Sequence, residues 1–245
     1  MLDTSIKFSV VIPAYNEVRF LPDTLAALVR AMDALEMPGE VIVVDNNSDD
    51  GTAAVADECG ARVVYESINQ ISRARNTGAA SAVGKYLIFL DADTLVSAPL
   101  MRHALAALDS GDVCGGGAGV VIEHQSRISN TTVAVWSMIG RVGKLAAGCF
   151  VYCRKDAFEA VGGFSEEVYA SEEIWLSLAL RKWGRSNQQT FLILDDAATT
   201  SARKLEWLSG FDIVKQTLVL LCFPFAVRSK RFCRTWYNRP NNDAN

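Results

Sequence analysis

The chain has 245 residues, half of them hydrophobic and 21% charged, the make-up of an ordinary globular protein with material for one large core, in one domain or two. Its net charge of −4 argues against a general nucleic-acid binder, although residues 213–242 hold six basic side chains and no acid. The six cysteines show no metal-type spacing and are expected to be reduced, structural thiols.

Met1 to Lys7 lead straight into a strand pattern, with no basic segment and apolar core of a signal peptide, so a cytoplasmic location is expected. Phe8 to Pro13 is a short apolar strand ending in the loop Ala14-Tyr15-Asn16-Glu17. Leu21, Leu25, Leu28, Met32 and Leu35 then recur at helical spacing up to Pro38-Gly39. Glu40 to Val44 predicts a second strand, followed by the polar run Asp45-Asn46-Asn47-Ser48-Asp49-Asp50-Gly51. A helix from Thr52 to Cys59, a strand from Arg62 to Tyr65, a helix from Ser72 to Val83 and a strand from Lys85 to Leu90 complete this half.

Strands alternating with helices over short loops predict an α/β fold, a doubly wound and mainly parallel sheet flanked by helices. Ligands of such sheets bind beyond the carboxyl ends of the strands. The polar clusters at 14–17, 45–51 and 91–94 all lie at strand ends and are expected to share one site. Further on, the pattern predicts a helix after Pro99, a glycine-rich strand from Val113 to Ile122 and a helix around Val133 to Leu145. It then predicts a strand from Gly148 to Cys153, a helix from Lys155 to Val161 and one from Glu172 to Trp183.

Tyr86-Leu87-Ile88-Phe89-Leu90 reads as a strand buried on both faces, yet it runs into Asp91-Ala92-Asp93. Two acids at i and i+2 past a strand end are either turn and cap carboxylates or a divalent-cation site, since Mg²⁺ takes one or two carboxylates and shares the rest with phosphate and water. Glu172 and Glu173 open a helix, where acids also oppose the macrodipole favourably. Gly115-Gly116-Gly117-Ala118-Gly119 fails the phosphate-loop and dinucleotide patterns and reads as strand glycines near a ligand or a bulge.

The stretches VVIPAYNE, VIVVDNNSDDGT, ISRARNTGAASAVGKYLIFLDADT and GGFSEEVYASEEIWLSLALRKWG, in this order and spacing, resemble the motifs of family 2 glycosyltransferases, which have the GT-A fold. The likeness covers residues 8–185. It implies a GT-A-like domain over 1–204, with 205–245 as a helical, apolar and basic appendix. It implies transfer of a sugar from a nucleotide sugar to a hydroxyl acceptor with inversion, assisted by Mg²⁺ or Mn²⁺. By resemblance, Pro13, Ala14, Tyr15, Glu17, Asp45, Asn46, Arg75, Asp91 and Ala92 hold the nucleotide sugar, and Asp93 with Asp91 holds the metal. Glu173 matches the family's base, with Glu172 beside it. A glutamate there, where aspartate is usual, moves the carboxylate out by one methylene.

Asn46 stands where many members have a second aspartate, and its amide, which both accepts and donates, suits uracil or thymine and so favours a UDP or dTDP sugar. Members of the fold often add a late histidine, but His103 and His124 are the only two and both precede the base. His103 is expected on a solvated helix face, His124 near the acceptor cleft, and Thr199 to Lys204 offers a substitute contact to the diphosphate.

Thr217 to Val227 is apolar but too short to cross a bilayer, and Arg228, Lys230, Arg231 and Arg234 follow. Residues 211–236 are therefore expected either at an anionic membrane surface, peripheral on its inner face, or as a core helix with a solvated basic end. Two other readings stand beside a transferase. One is a sugar-phosphate nucleotidyltransferase, whose first loop would be glycine-rich and basic, unlike VVIPAYNEVRF; the other is a non-catalytic nucleotide-sugar-binding or membrane-adaptor protein.

Overall fold

The computed structural model describes residues 5–122, 145, 146, 148–201, 227–229 and 233. In chain order its elements are β1 (Phe8–Ala14), α1 (Leu21–Asp33), β2 (Gly39–Asp45), α2 (Thr52–Glu58), β3 (Arg62–Tyr65), α3 (Ile71–Ser81) and β4 (Tyr86–Leu90). There follow β5 (Thr94–Leu95), α4 (Ala98–Asp109), β6 (Val113–Ile122), β7 (Phe150–Arg154), α5 (Lys155–Ala160), α6 (Glu172–Ser186) and β8 (Thr190–Thr200). The strands form one eight-stranded sheet in the order β3-β2-β1-β4-β7-β6-β8-β5.

The first half is the parallel, helix-connected sheet that the alternation of elements predicts: β1 pairs in parallel with both β2 and β4, and β2 with β3. β7 then enters antiparallel between β4 and β6, while β8 runs parallel to β6. Every residue of β4 is buried. Tyr86, Ile88 and Leu90 pack with Leu25 and Leu28 of α1 and Leu100 and Leu105 of α4, whereas Leu87 and Phe89 pack on the opposite face with Ala74, Phe158, Phe164 and Leu176. The alternation of side chains along a strand thus sorts the helices into two layers. Phe89 meets Phe164 edge-on at 4.8 Å between ring centres.

Two strands lack a clear sequence signal. β5 has two residues, and β8 contains Asp195 and Asp196 and does not alternate. Between the pairs Gly117–Ile193 and Gly119–Ala197, β8 passes residues 194–196 where β6 passes only Ala118, so the glycine run does border a bulge. Gly116 has a steric reason as well, because a Cβ there would lie 2.6 Å from the Tyr152 hydroxyl and closer still to the Leu192 carbonyl. The cysteines of the described residues are free thiols, and all but Cys59 are buried.

The helix expected around Val133 to Leu145 lies outside the described residues except at Leu145, as does most of the expected appendix. Of that appendix, Val227 and Cys233 are buried, and the Val227 carbonyl accepts from the Tyr169 amide at 2.6 Å. Among the described residues no helix is long and apolar enough to cross a membrane.

Candidate active site

The parallel strands end together, and their loops are stitched to one another. Ala14 and Asp45 are register partners at the ends of β1 and β2, and the Asn46 amide donates to the Ala14 carbonyl at 2.7 Å. Asn16 and Asp49 pair reciprocally across the two loops at 2.6 and 3.0 Å, and the Glu17 amide donates to Thr52 Oγ1 at 2.8 Å. Asn16 and Asn47 take the left-handed backbone conformation that asparagine tolerates. The predicted group of Pro13, Ala14, Tyr15 and Glu17 therefore does lie beside Asp45.

Asn46 has a different job from the one the sequence suggests. Its Nδ2 donates to the carbonyls of Glu66 and Ile68 at 3.1 and 2.7 Å, and its Oδ1 accepts from the Gln70 amide at 2.9 Å. Both amide hydrogens are taken, so the side chain has none left to give a nucleobase. It shapes the loop that leads into α3. Asp45 keeps a carboxylate at this end, with Oδ1 accepting from the Ser48 amide at 3.1 Å.

β4 delivers Asp91 and Asp93 to the same edge of the sheet. Ala92 between them is buried and its carbonyl accepts from Thr24 Oγ1 at 2.9 Å, so it spaces the acids and offers its side chain to the core, not to a ligand. Asp93 is met by the end of β8: Ser201 Oγ donates to its Oδ2 at 2.8 Å and Thr200 Oγ1 lies 3.5 Å from its Oδ1. Of the late segment expected to contact the diphosphate, Thr200 and Ser201 stand beside Asp93. Among the described residues no third acid, histidine or cysteine completes a metal cluster. Two hard oxygen donors with neighbouring hydroxyls suit Mg²⁺ or Mn²⁺ shared with a diphosphate, and do not suit zinc.

Arg75 also departs from expectation. The resemblance places it on the nucleotide sugar, but its side chain is 1% exposed. Nη1 donates to Glu172 Oε1 at 2.6 Å, while Nη2 donates to Asp91 Oδ1 and to the Gly148 carbonyl, each at 2.8 Å. The guanidinium also lies over the Phe164 ring at 5.1 Å. α3 approaches the sheet closely enough to place it there because Gly78 has no side chain to strike Val11.

The two glutamates that begin α6 are thereby separated in role. Glu172 is buried against Arg75. Glu173, about 100° further round the helix, turns towards Gly148: a Cβ on that glycine would lie 3.4 Å from the Glu173 carboxyl carbon. Part of Glu173 reaches the surface, but its carboxyl group is desolvated. Burial first, then the charge of Glu172, pushes its pKa up to about 8, with Arg75 opposing. A raised pKa makes the ionised carboxylate the stronger base, and it acts as one in its deprotonated form.

His103 lies on an exposed helix face, as expected, and its Nδ1 is 2.8 Å from Asp196 Oδ2. His124 lies outside the described residues. Sequence reasoning missed Gly148, Thr24 and Gln70, none of which carries a local pattern. Gln70 Nε2 donates to the carbonyls of Glu166 and Val168, fastening α3 to the loop before α6.

The sequence model of "Glycosyl transferase family 2" matches residues 9–161. An uncharacterized glycosyltransferase of Mycobacterium tuberculosis is 38% identical over 135 residues, which are 55% of each chain. The 4,4'-diaponeurosporenoate glycosyltransferase of Staphylococcus haemolyticus is 36% identical over 113 residues, 43% of this chain and 28% of that one. The chain thus spans about half the length, or less, of these curated relatives. A mannosyltransferase of Pyrobaculum calidifontis, solved with GDP-Man and Mn²⁺, superposes with a TM-score of 0.65 at 17% identity, over 97% of this chain and 68% of that one. S. aureus TarS 1-349 with UDP superposes with a TM-score of 0.62 at 18% identity, over 97% and 74%. At such identities the likeness is one of fold, the GT-A fold that the motifs imply. With the sequence match running from β1 into α5 and the sheet bringing its strand ends into one site, the chain belongs to glycosyl transferase family 2.

Proposed function

We propose that this protein transfers a sugar from a nucleotide-sugar donor to a hydroxyl acceptor with inversion at the anomeric carbon. One observation carries the reading: Asp91, from the acid pair at the end of β4, and Glu172, from the acid pair at the start of α6, bind one arginine, which ties the two pairs together. The Glu173 carboxylate takes the acceptor hydroxyl proton as that oxygen attacks the anomeric carbon. The bond from that carbon to the diphosphate oxygen breaks, and the nucleoside diphosphate leaves on the opposite side. Asp91 and Asp93 would hold Mg²⁺ or Mn²⁺, which supplies positive charge to stabilise the departing diphosphate. Tyr15, Glu17 and Asp45 line the nucleoside end.

Both amide hydrogens of Asn46 are engaged, so it cannot donate to O4 of uracil or thymine, and the donor base is left open. The names of relatives favour a cell-envelope acceptor: an undecaprenyl-phosphate 4-deoxy-4-formamido-L-arabinose transferase of Proteus mirabilis is 34% identical over 118 residues. An acceptor on a lipid or envelope polymer would also give a peripheral protein on the cytoplasmic membrane face a purpose for the apolar and basic segment 211–236. Family membership sets aside the nucleotidyltransferase alternative. Release of nucleoside diphosphate from a panel of UDP, dTDP and GDP sugars, with Mn²⁺ or with chelator, tests transfer against a non-catalytic binding role. Acceptor-dependent release with one donor supports the reading; no release with any donor and lipid-phosphate or glycan acceptors overturns it.

A further inference from the structure

Arg75 is buried, yet burying an ion network gives little stability by itself, and a well-packed apolar substitute is often as stable or more so. Its geometry suggests another role. One planar fork reaches three separate pieces of chain: Asp91 at the end of β4, Gly148 before β7 and Glu172 in the first turn of α6. A lysine ammonium is a point charge on a flexible stem and cannot reproduce that fork.

The first turn of α6 needs such an anchor. Ser171 at its N-cap has φ 61°, the left-handed conformation, and its side chain makes no capping hydrogen bond. An N-cap serine ordinarily accepts from the N2 or N3 amide and so fixes where the helix begins. Here the Glu172 carboxylate, held by Arg75 at 2.6 Å, ties this turn to α3, while the Ser177 hydroxyl, which donates to the Glu173 carbonyl at 2.7 Å, ties it only within α6. Because neighbouring helix residues are 100° apart, fixing Glu172 inward fixes the direction of Glu173.

We propose that Arg75 is a positioning residue, which sets the rotation of the first turn of α6 and hence the place of the Glu173 carboxyl relative to Asp91. The inference rests on the reading of Glu173 as the base. It separates Arg75 from the donor-binding groups, because its loss should lower turnover far more than nucleotide affinity, which it reaches only through Asp91. A misplacement of about 1 Å can cost about 10²-fold in rate.

The test compares Arg75→Lys, Glu172→Gln and Glu172→Ala with the parent, using the donor found by the panel and measuring kcat, acceptor KM and nucleoside diphosphate affinity. Arg75→Lys and Glu172→Ala are expected to lose about 10²-fold in kcat with nucleotide affinity within about threefold. Glu172→Gln keeps an oxygen for Nη1 and is expected to recover most of the loss seen with alanine. Parent kcat in folded Arg75→Lys overturns the proposal, as does a fall in nucleotide affinity as large as the fall in kcat, which would make Arg75 a donor ligand. If Arg75→Lys does not fold, the glutamine and alanine pair decides; equal losses in those two, or failure of every variant to fold, would make the network purely structural. A parent protein without transfer overturns the base reading and the positioning role together, whereas an active parent with an unaffected Arg75→Lys overturns the positioning role alone.

Discussion

Arg75 Nη1 lies 2.6 Å from Glu172 Oε1 in the interior, so of the two adjacent glutamates it is Glu172 whose charge is already engaged. Glu173 turns instead towards Gly148. Glu173→Gln keeps shape and hydrogen bonding but cannot accept a proton, and general-base catalysis is worth about 10² to 10⁴ in rate. Transfer by this variant is expected to fall by that factor with donor binding intact, and Glu172→Gln is expected to lose less. A Glu173→Gln protein with parent rates would place the base elsewhere.

The raised pKa of Glu173 makes a prediction about stability. The folded protein holds this proton up to about pH 8, whereas the unfolded chain releases it near the ordinary value of 4.5. Between those limits the folded state binds more protons, so stability falls as pH rises, by at most about 1.4 kcal/mol per unit, and levels off above about pH 8. Glu173→Gln has no such proton to lose. Urea unfolding of parent and variant without metal or nucleotide, from pH 5 to 9, should show the variant gaining relative stability across that range. A constant difference would mean that Glu173 titrates normally.

Asp91 and Asp93 should differ in their response to metal. Asp91 is held by a permanent cation through Arg75, while Asp93 is met by the hydroxyls of Thr200 and Ser201. Asp93→Asn is therefore expected to need about tenfold or more Mn²⁺ for half-maximal transfer, on the scale of one carboxylate's share in a site with few protein ligands. Asp91→Asn should be impaired at every metal concentration. Full activity of both variants in chelator would remove the metal from this site.

Much of this was legible in the chain because the signal was local. The apolar run of β4 gives away both the buried strand and the acids that it carries, and the alternation of β1 to β4 with helices gives the parallel half of the sheet. β8 escaped because a strand with Asp195 and Asp196 is held by its partner β6 and not by its own pattern. The intramolecular roles of Arg75 and Asn46 are hidden for a related reason. A basic helix start and a polar strand end both read as ligand contacts, and only the convergence of Asp91, Gly148 and Glu172, or of Glu66, Ile68 and Gln70, shows that the protein itself uses these groups.

The basic tail can be tested apart from catalysis. Arg228 pairs with Glu167 at 3.1 Å, with both side chains well exposed, so this contact is weak and competes little with a charged surface. If residues 211–236 meet a membrane, full-length protein should sediment with vesicles containing anionic lipid at low salt and be released as salt rises. Folded protein that ignores such vesicles leaves the tail as part of the protein body.

Gly148 offers a test of the acceptor's approach that leaves the charges in place. Its carbonyl accepts from Arg75 whatever its side chain, and a Cβ would sit 3.4 Å from Cδ and 3.5 Å from Oε1 of Glu173, which is ordinary contact. Alanine should therefore fit, with less than about a tenfold loss, while the two further methyls of Gly148→Val would press on the carboxylate or on the space in front of it. A reacting hydroxyl must come within about 3 Å of its base, so the valine variant is expected to lose about 10²-fold in transfer. Nucleotide affinity should stay near the parent's, since no donor contact is touched. Steady-state kinetics with varied acceptor, alongside nucleotide binding, measure both. A valine variant with parent kcat and acceptor KM would show that the acceptor reaches Glu173 from another side.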